Sequence, residues 1–201
     1  MKSILADILL EPELNSFDIA LHDIDPKRLK TSQIVADNIC KSLKAPASIK
    51  TTLDRKEALK GADFVIVMIQ VGGYEPSTVI DFEIPAKYGL QQTIADTLGI
   101  GGIMRGLRTV PVLVEIAKDI MEQCPKAWML QYVNPMAINC LALSEFVPDL
   151  QYVGLCHSVQ GTAADLARDI NEDLSKIQYE CSGINHMSFF TKFEKKLDNG
   201  L

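Results

Sequence analysis

The chain has 201 residues, 47% of them hydrophobic and 23% charged, which is typical of a folded globular protein of one or two domains. Its net charge of −6, from 26 acidic and 20 basic residues, excludes a generally basic surface that would attract nucleic acid or an anionic membrane. The apolar runs, such as residues 64–71, are too short to span a bilayer, and residues 1–3 do not begin a signal peptide. The composition favours a cytoplasmic enzyme with no nucleic-acid or membrane partner.

The first part of the chain alternates helix-like and strand-like segments. Pro26 is tolerated in a first helical turn, and residues 63–69 form a continuous apolar run, as a parallel strand covered on both faces requires. The predicted elements are a helix over 2–10, a strand over 18–23, a helix from Pro26 to about Leu43, a strand over 49–52, a short helix over 56–60 that Gly61 ends, and a strand over 63–69.

The same alternation continues through the middle of the chain and then changes. The predicted elements are helices over 103–122 and 137–146, strands over 127–133 and 151–155, a helix from Ser158 to about Asn171, and antiparallel strands over 177–184 and 188–197. Strands alternating with helices predict an α/β fold with a Rossmann-like parallel sheet of the lactate and malate dehydrogenase type. We expect an NAD-binding domain over 1–156 and the start of an α+β catalytic domain over 157–201.

Asp23 ends the first predicted strand, as does the acid that binds the adenosine ribose in dinucleotide-binding folds. That acid follows a first strand and a glycine-rich loop about 20 residues upstream, whereas the first glycine here is Gly61. We therefore expect the sheet to lack its first strand and loop. A turn acid before Pro26 is an equally good interpretation of Asp23. Asn199–Gly200 is a hairpin-turn signal with one residue after it, so we expect the C-terminus to be cut as well.

Two glycine-rich segments lie where α/β sheets bind ligands. Gly72 and Gly73 directly follow the apolar strand, at the carboxyl edge of the predicted sheet. Residues 99–102 contain three glycines and predict a flexible loop that points free N–H groups and the dipole of the next helix toward a ligand. The charged residues near this loop are Asp96, Arg105 and Arg108. The alternative is a surface loop with solvated charges.

Asn134 follows the strand over 127–133 at the same edge, where its amide offers a donor and an acceptor to a cofactor amide or a sugar hydroxyl. A helix N-cap is an equally good interpretation of this residue type.

Cys156 ends the next strand, and its thiolate together with the imidazole of His186 is a possible ligand pair for a transition metal. Two protein ligands leave positions open for substrate oxygens, as a catalytic metal requires. The two residues are 30 positions apart, so spacing does not support the pairing, and a packed thiol with a structural histidine is the alternative. His157 is a candidate proton donor near neutral pH. The five cysteines show no CxxC pair and predict neither a zinc knuckle nor a disulfide framework.

Six segments together resemble the NAD- and manganese-dependent glycosidases of glycoside hydrolase family four, in particular the α-galactosidase (melibiase) members. The segments are ALHDIDPKRL (20–29), IQVGGYEP (69–76), QTIADTLGIGGIMRGLRT (92–109), YVNPM (132–136), VGLCHSVQGT (153–162) and GINHMSFF (183–190). The resemblance implies NAD and Mn²⁺ as cofactors and an α-galactoside as substrate. In that family, NAD removes hydride from C3 of the sugar, a base takes the C2 proton, the glycosidic oxygen leaves C1, water adds, and the hydride returns; the metal polarises the C2 and C3 oxygens.

The resemblance also implies a role for each matching residue. Cys156 and His186 resemble the metal ligands, and His157 resembles the proton donor. The implied substrate-binding residues are Asn134, Asp96, Arg105 and Asn185, and the implied cofactor-binding residues are Asp23, Gly72, Gly73 and Asn134. The resemblance implies an unphosphorylated α-hexoside as well, because members of the family that act on phospho-sugars tend to carry Asn or Asp after the cysteine, where this chain has His157.

The family's glycine loop and second half, which holds the catalytic base and a dimer surface, are absent from these 201 residues. We therefore expect an inactive fragment of a homo-oligomeric enzyme. The alternatives are an α-glucosidase or other member of the family, a lactate- or malate-type dehydrogenase, and a non-catalytic remnant.

Overall fold

The structure is a computed structural model, and it describes residues 2–14, 17–93 and 97–196. The elements in chain order are α1 (Lys2–Leu10), β1 (Asp18–His22), α2 (Pro26–Leu43), β2 (Ser48–Thr52), α3 (Arg55–Leu59), β3 (Phe64–Val67), α4 (Val79–Ala86), α5 (Gly99–Gln123), β4 (Trp128–Gln131), α6 (Met136–Phe146), β5 (Tyr152–Gly154), α7 (Ser158–Asp169), β6 (Ile177–Ile184) and β7 (Met187–Lys195). Across the described ranges, no helix combines the length and the apolar character needed to cross a membrane.

Local signals explain most of these boundaries. Helix α2 begins at Pro26, and the carboxylate of Asp25 caps it by accepting hydrogen bonds from the backbone N–H groups of Lys27 and Arg28. Asp54 caps α3 in the same way. The sequence did not predict α4, because Pro76 shortly before it and Pro85 within it obscure the helical pattern.

The α/β prediction is confirmed, but the parallel strands lie in two groups. β1 pairs with β2, and β3, β4 and β5 pair in that order, all parallel. Within the described part of the chain, no strand pairs with the free edges of β1 and β3, which is where a Rossmann sheet places its first strand. Coverage of β3 is incomplete at its start, where Phe64 is 57% exposed, whereas Val67 at its end is buried.

Two hydrophobic clusters match the two groups of strands. The larger one joins α5 and α6 to β3 and β4 through fully buried side chains such as Ile120, Met129 and Leu143. The smaller one packs Leu5 and Leu9 of α1 against Ala36 of α2, with β1 and β2 beside them. Helix α5 therefore packs, together with α6, against the group of strands that contains β3 and β4.

The last two strands form an antiparallel hairpin, as predicted, with Ile177 opposite Lys195 and Ile184 opposite Met187. The predicted turn at Asn199–Gly200 lies outside the described residues.

Candidate metal centre and the adjoining sheet edge

The Gly72–Gly73 turn follows β3 and requires glycine. Both residues have positive φ angles, 82° and 68°, in the region that side chains disfavour. A Cβ on Gly72 would lie 2.0 Å from the Ser77 hydroxyl oxygen, whereas open space surrounds Gly73. The turn thus brings backbone close to the start of the next helical segment at the carboxyl edge of the sheet.

The glycine-rich segment over 99–102 is not the flexible loop that the sequence predicted. It forms the first turn of α5, where the N–H of Gly101 donates to the side-chain oxygen of Gln92 at 2.9 Å. A Cβ on Gly102 would lie 2.6 Å from the backbone carbon of Thr97, so the chain packs against the helix there. The predicted anion-facing N–H groups are therefore partly used within the chain. Asp96 lies outside the described residues.

Arg108 forms an ion pair that sequence reasoning missed. Its two terminal nitrogens donate to the two carboxylate oxygens of Asp81 at 2.8 and 2.6 Å, and the Asp81 side chain is 1% exposed. The side-chain hydrogen bond to Asp81 raises the pKa of Arg108. Gln92 donates to the backbone oxygen of Asp81 at 2.9 Å, so α4 and the start of α5 are held together. Asp81 and Arg108 are 27 positions apart and lie on different helices, so no local sequence pattern predicts their pairing.

Asn134 lies three residues after the end of β4, in a turn whose bond to Pro135 is cis. It is not the N-cap of α6, which begins after Pro135 without a side-chain cap. The predicted substrate residue Arg105 donates from Nε to the backbone oxygen of Asn134 at 3.2 Å. The structure thus brings Arg105 and Asn134 together.

Cys156 and His186 also meet. Cys156 follows β5, and Asn185 and His186 form the two-residue turn between β6 and β7. The Cys156 Sγ and His186 Nε2 atoms are 3.7 Å apart. Gly183 lets the hairpin close, because a Cβ there would lie 2.5 Å from a backbone oxygen of the facing strand. His186 has a positive φ of 62°, a conformation that non-glycine residues rarely keep unless their surroundings impose it.

The surroundings of Cys156 stabilise its thiolate. Burial raises the pKa of Cys156, but hydrogen bonds from the Ser158 hydroxyl and backbone N–H, from His186 and from Asn185 outweigh burial and lower this pKa to about 6. The Ser158 hydroxyl oxygen lies 3.0 Å from Sγ. Sequence reasoning missed Ser158, although a hydroxyl two residues after a strand-end thiol, at the start of a helix, was a signal.

Two buried polar atoms beside this pair have no hydrogen-bond partner among the described residues: Asn185 Oδ1 and His186 Nδ1. A thiolate with an adjacent imidazole is a donor pair that binds divalent transition metals. In the described ranges, no cluster of three or more His, Cys, Asp or Glu side chains is present, so these two residues leave positions for other ligands. The exposed His157 follows Cys156 at the start of α7.

Asp23 is already engaged within its own turn. It accepts hydrogen bonds from Arg28 at 3.0 and 2.7 Å and from the backbone N–H of Asp25 at 2.9 Å. The side-chain hydrogen bond from Arg28 lowers the pKa of Asp23. This is the geometry of a turn acid, and the carboxylate oxygens retain lone pairs for a further donor.

Comparison with known proteins places the chain in a family. The profile described as Family 4 glycosyl hydrolase matches residues 1–172. An alpha-galactosidase of Bacillus subtilis (strain 168) is 50% identical over 194 residues, 96% of this chain and 45% of that protein. A crystal structure of a 6-phospho-alpha-glucosidase from gut microorganisms, in complex with NAD and Mn²⁺, has a TM-score of 0.86 at 25% identity and covers 100% of this chain and 44% of that one.

A malate dehydrogenase from Plasmodium falciparum has a TM-score of 0.66 at 14% identity, covering 96% of this chain and 55% of that one, so the likeness to the dehydrogenases extends to the fold alone. The chain spans about 45% of the length of the B. subtilis relative. The family resemblance predicted from the six motifs is confirmed: this chain belongs to the family 4 glycosyl hydrolases.

Proposed function

We propose that the protein hydrolyses α-galactosides of the melibiose type by the NAD-assisted oxidation, elimination, addition and reduction sequence of its family. The 50% identity to an alpha-galactosidase supports the substrate class. The chain spans less than half of that relative, so we propose that these 201 residues supply cofactor- and metal-binding groups and have no turnover by themselves.

We propose that Cys156 and His186 hold a divalent metal, Mn²⁺. The observation that carries this proposal is the 3.7 Å approach of Sγ to Nε2, next to an orphaned, buried Asn185 oxygen. When bound, the metal acts as a Lewis acid toward sugar oxygens. Metals bind the thiolate form of cysteine, and hydrogen bonds from Ser158 lower the pKa of Cys156. Cys156 is therefore proposed to bind the metal at neutral pH without a change of protonation state.

The remaining residues of the edge are proposed to bind the cofactor and the sugar. NAD supplies the hydride acceptor when bound, and the proposed cofactor-binding residues are Asp23, Gly72, Gly73 and Asn134. The unpartnered oxygen of the Asn185 side chain is proposed to accept from a sugar hydroxyl, and His157, whose imidazole is exposed, is proposed to donate a proton. Arg105 and Asp96 remain predicted substrate residues.

We also propose the division into a cofactor domain over 1–156 and the start of a catalytic domain over 157–201, because the hairpin begins beyond the parallel strands. We further propose, from the family resemblance, that the enzyme is cytoplasmic and that it forms homo-oligomers when full length.

Calorimetric titration of the chain with Mn²⁺ tests the metal site. We expect binding of one Mn²⁺ by the unaltered chain and loss of that binding in Cys156→Ser and in His186→Gln. Cys181→Ser, which changes a free thiol on the same hairpin, is the matched control and keeps the binding. Equal Mn²⁺ affinity in Cys156→Ser and in the unaltered chain would remove Cys156 from the metal site.

The reaction itself is tested in a protein that restores the remaining length of the relatives. There we expect release of p-nitrophenol from its α-galactoside only with both NAD and Mn²⁺ present. Oxidation of a hydroxy acid with accumulation of NADH would favour the dehydrogenase instead.

A further inference from the structure

The turn that carries Asn134 leaves the sheet and enters α6 through a short stretch without regular backbone pairing. The last sheet hydrogen bond runs from Tyr132 N to Val67 O at 3.0 Å, and the first helical one from Asn139 N to Pro135 O at 2.9 Å. The backbone groups between these bonds include the N–H and C=O of Val133 and the C=O of Asn134.

Three side chains hold those backbone groups. Gln131 Oε1 accepts from the N–H of Val133 at 2.5 Å, and Asn139 Nδ2 donates to the C=O of Val133 at 2.9 Å. Arg105 Nε donates to the C=O of Asn134 at 3.2 Å. The three residues come from β4, α6 and α5, so the turn is fixed from three separate elements.

The side-chain amides of Gln131 and Asn139 are fully buried, which is unusual for polar groups. Gln131 and Asn139 are both 0% exposed, and Val133 between them is 2% exposed. Each amide is oriented by its bond to Val133, which leaves Gln131 Nε2 and Asn139 Oδ1 buried and without a partner in the described chain. A buried amide that leaves a polar atom unpaired costs stability relative to an apolar side chain of the same shape. Stability alone therefore does not account for these two residues, whereas fixing the path of the backbone does.

Close packing places Arg105 within reach of the turn. A Cβ on Gly106 would lie 3.1 Å from Ile138 Cγ2 and 3.5 Å from Pro135 Cγ, so the α5 backbone lies directly against α6 and the buried proline. The adjacent Arg105, whose side chain is partly buried, can then donate to the turn.

We propose that Gln131, Asn139 and Arg105 are positioning residues that together hold Asn134 at the sheet edge. Through this bond Arg105 acts on the backbone of Asn134, apart from the contact with the sugar proposed above. The functional meaning of this arrangement rests on the proposed role of Asn134, but the arrangement itself is measurable without NAD, metal or substrate.

Nuclear magnetic resonance of the ¹⁵N-labelled chain tests the proposal. In Gln131→Met we expect hydrogen exchange at the Val133 amide to accelerate by about tenfold, with a shift or doubling of the Asn134 side-chain amide signals. Gln131→Glu keeps an acceptor oxygen, so at a pH where this buried carboxyl is protonated it retains the protection of the Val133 amide. Arg105→Met, at a partly exposed position, shifts the Asn134 signals and lowers the melting temperature less than a change of a buried core residue does.

Two controls separate positioning from general loss of stability. Leu143→Ala removes a fully buried apolar side chain from α6 and leaves the Asn134 signals in place, although it lowers the melting temperature. Arg168→Met changes an exposed arginine and leaves the Asn134 signals unchanged. If Gln131→Met fails to fold, the Asn134 signals of Arg105→Met alone test the proposal.

Asn134 signals that stay at their original positions in Arg105→Met, or that move equally in Leu143→Ala, would overturn the proposal. Because the spectra contain no ligand, failure of the proposed glycosidase activity would leave this result unaffected.

Discussion

Replacing Ser158 by Ala is expected to raise the pH at which Cys156 reacts with a thiolate reagent. The substitution removes the hydroxyl that lies 3.0 Å from Sγ but keeps the backbone N–H that also stabilises the thiolate. A hydrogen bond to a charged group contributes about 1.5–3 kcal/mol, which corresponds to about one to two pH units. The midpoint of alkylation, expected near the pKa of about 6 in the unaltered chain, therefore moves upward by that amount.

The pH midpoint is a sharper readout than the rate at one pH. At pH 7 a thiol with a pKa of about 6 is roughly 90% thiolate, whereas one with the ordinary value of 9.0 is roughly 1%. The less basic thiolate is also the weaker nucleophile. For a pKa lowered by three units, each thiolate reacts about 15- to 30-fold more slowly, which offsets most of the gain in thiolate fraction. The net advantage of Cys156 at neutral pH is thus only about three- to sixfold.

Iodoacetamide labelling between about pH 5 and pH 9, quantified for each cysteine peptide by mass spectrometry, measures the midpoints. Burial raises the pKa of Cys40, Cys124 and Cys140, so their labelling rises only at alkaline pH. Ser188→Ala is the matched control, because it removes a hydroxyl 3.4 Å from the sulfur of Cys181 and should leave Cys156 unaffected. A Cys156 midpoint above about pH 8 in the unaltered chain, or no change in Ser158→Ala, would refute the reasoning.

Three further predictions concern stability. Arg108→Met leaves the buried Asp81 carboxylate unpaired and should lower the free energy of unfolding by about 3–5 kcal/mol, measured by urea denaturation, whereas the double change Asp81→Leu/Arg108→Met recovers much of the loss. A double variant no more stable than the single one would contradict this. Gly72→Ala should lower the melting temperature more than Gly61→Ala, since both have positive φ but only Gly72 is crowded; equal losses would show that the crowding relaxes freely. The lowered pKa of Cys156 adds stability that is complete above the unfolded value of 9.0 and is lost as pH falls through about 6. The melting temperature of the unaltered chain, relative to Cys156→Ser, should therefore rise with pH across this interval, and a flat or falling difference would be inconsistent with a stabilised thiolate.

The elements with local signals were predictable from the sequence. Helix α2 has a proline in its first turn and an aspartate cap, and β3 has a continuous apolar run. The start of α5 was not predictable, because glycine has low helix propensity. Gln92 accepts from the N–H of Gly101 in this turn, and the backbone at Thr97 leaves no room for a Cβ at Gly102, so that glycine is required there. Neither contact is visible in a local pattern.

The candidate site was predictable in its residue types but not in its distances. Cys156 and His186 are 30 positions apart, and their approach depends on the turn between β6 and β7. The conformation of that turn depends on the absence of a side chain at Gly183 and on the positive φ of His186. Both requirements arise only when the two strands are paired. The family resemblance pointed to the pair, whereas the residues alone left it open.

The basic residues near the site show why charge patterns are weak evidence for ligand binding. Arg105 and Arg108 both lie near the glycine-rich segment and were candidates for contact with substrate or for solvated charges. In the structure both donate to the chain itself, to Asn134 O and to the Asp81 carboxylate. A guanidinium has several fixed donors, so a residue of this kind can satisfy a backbone or carboxylate oxygen and still present N–H groups outward. The effect of each arginine on ligand binding must therefore first be corrected for the position of the turn or helix that it holds.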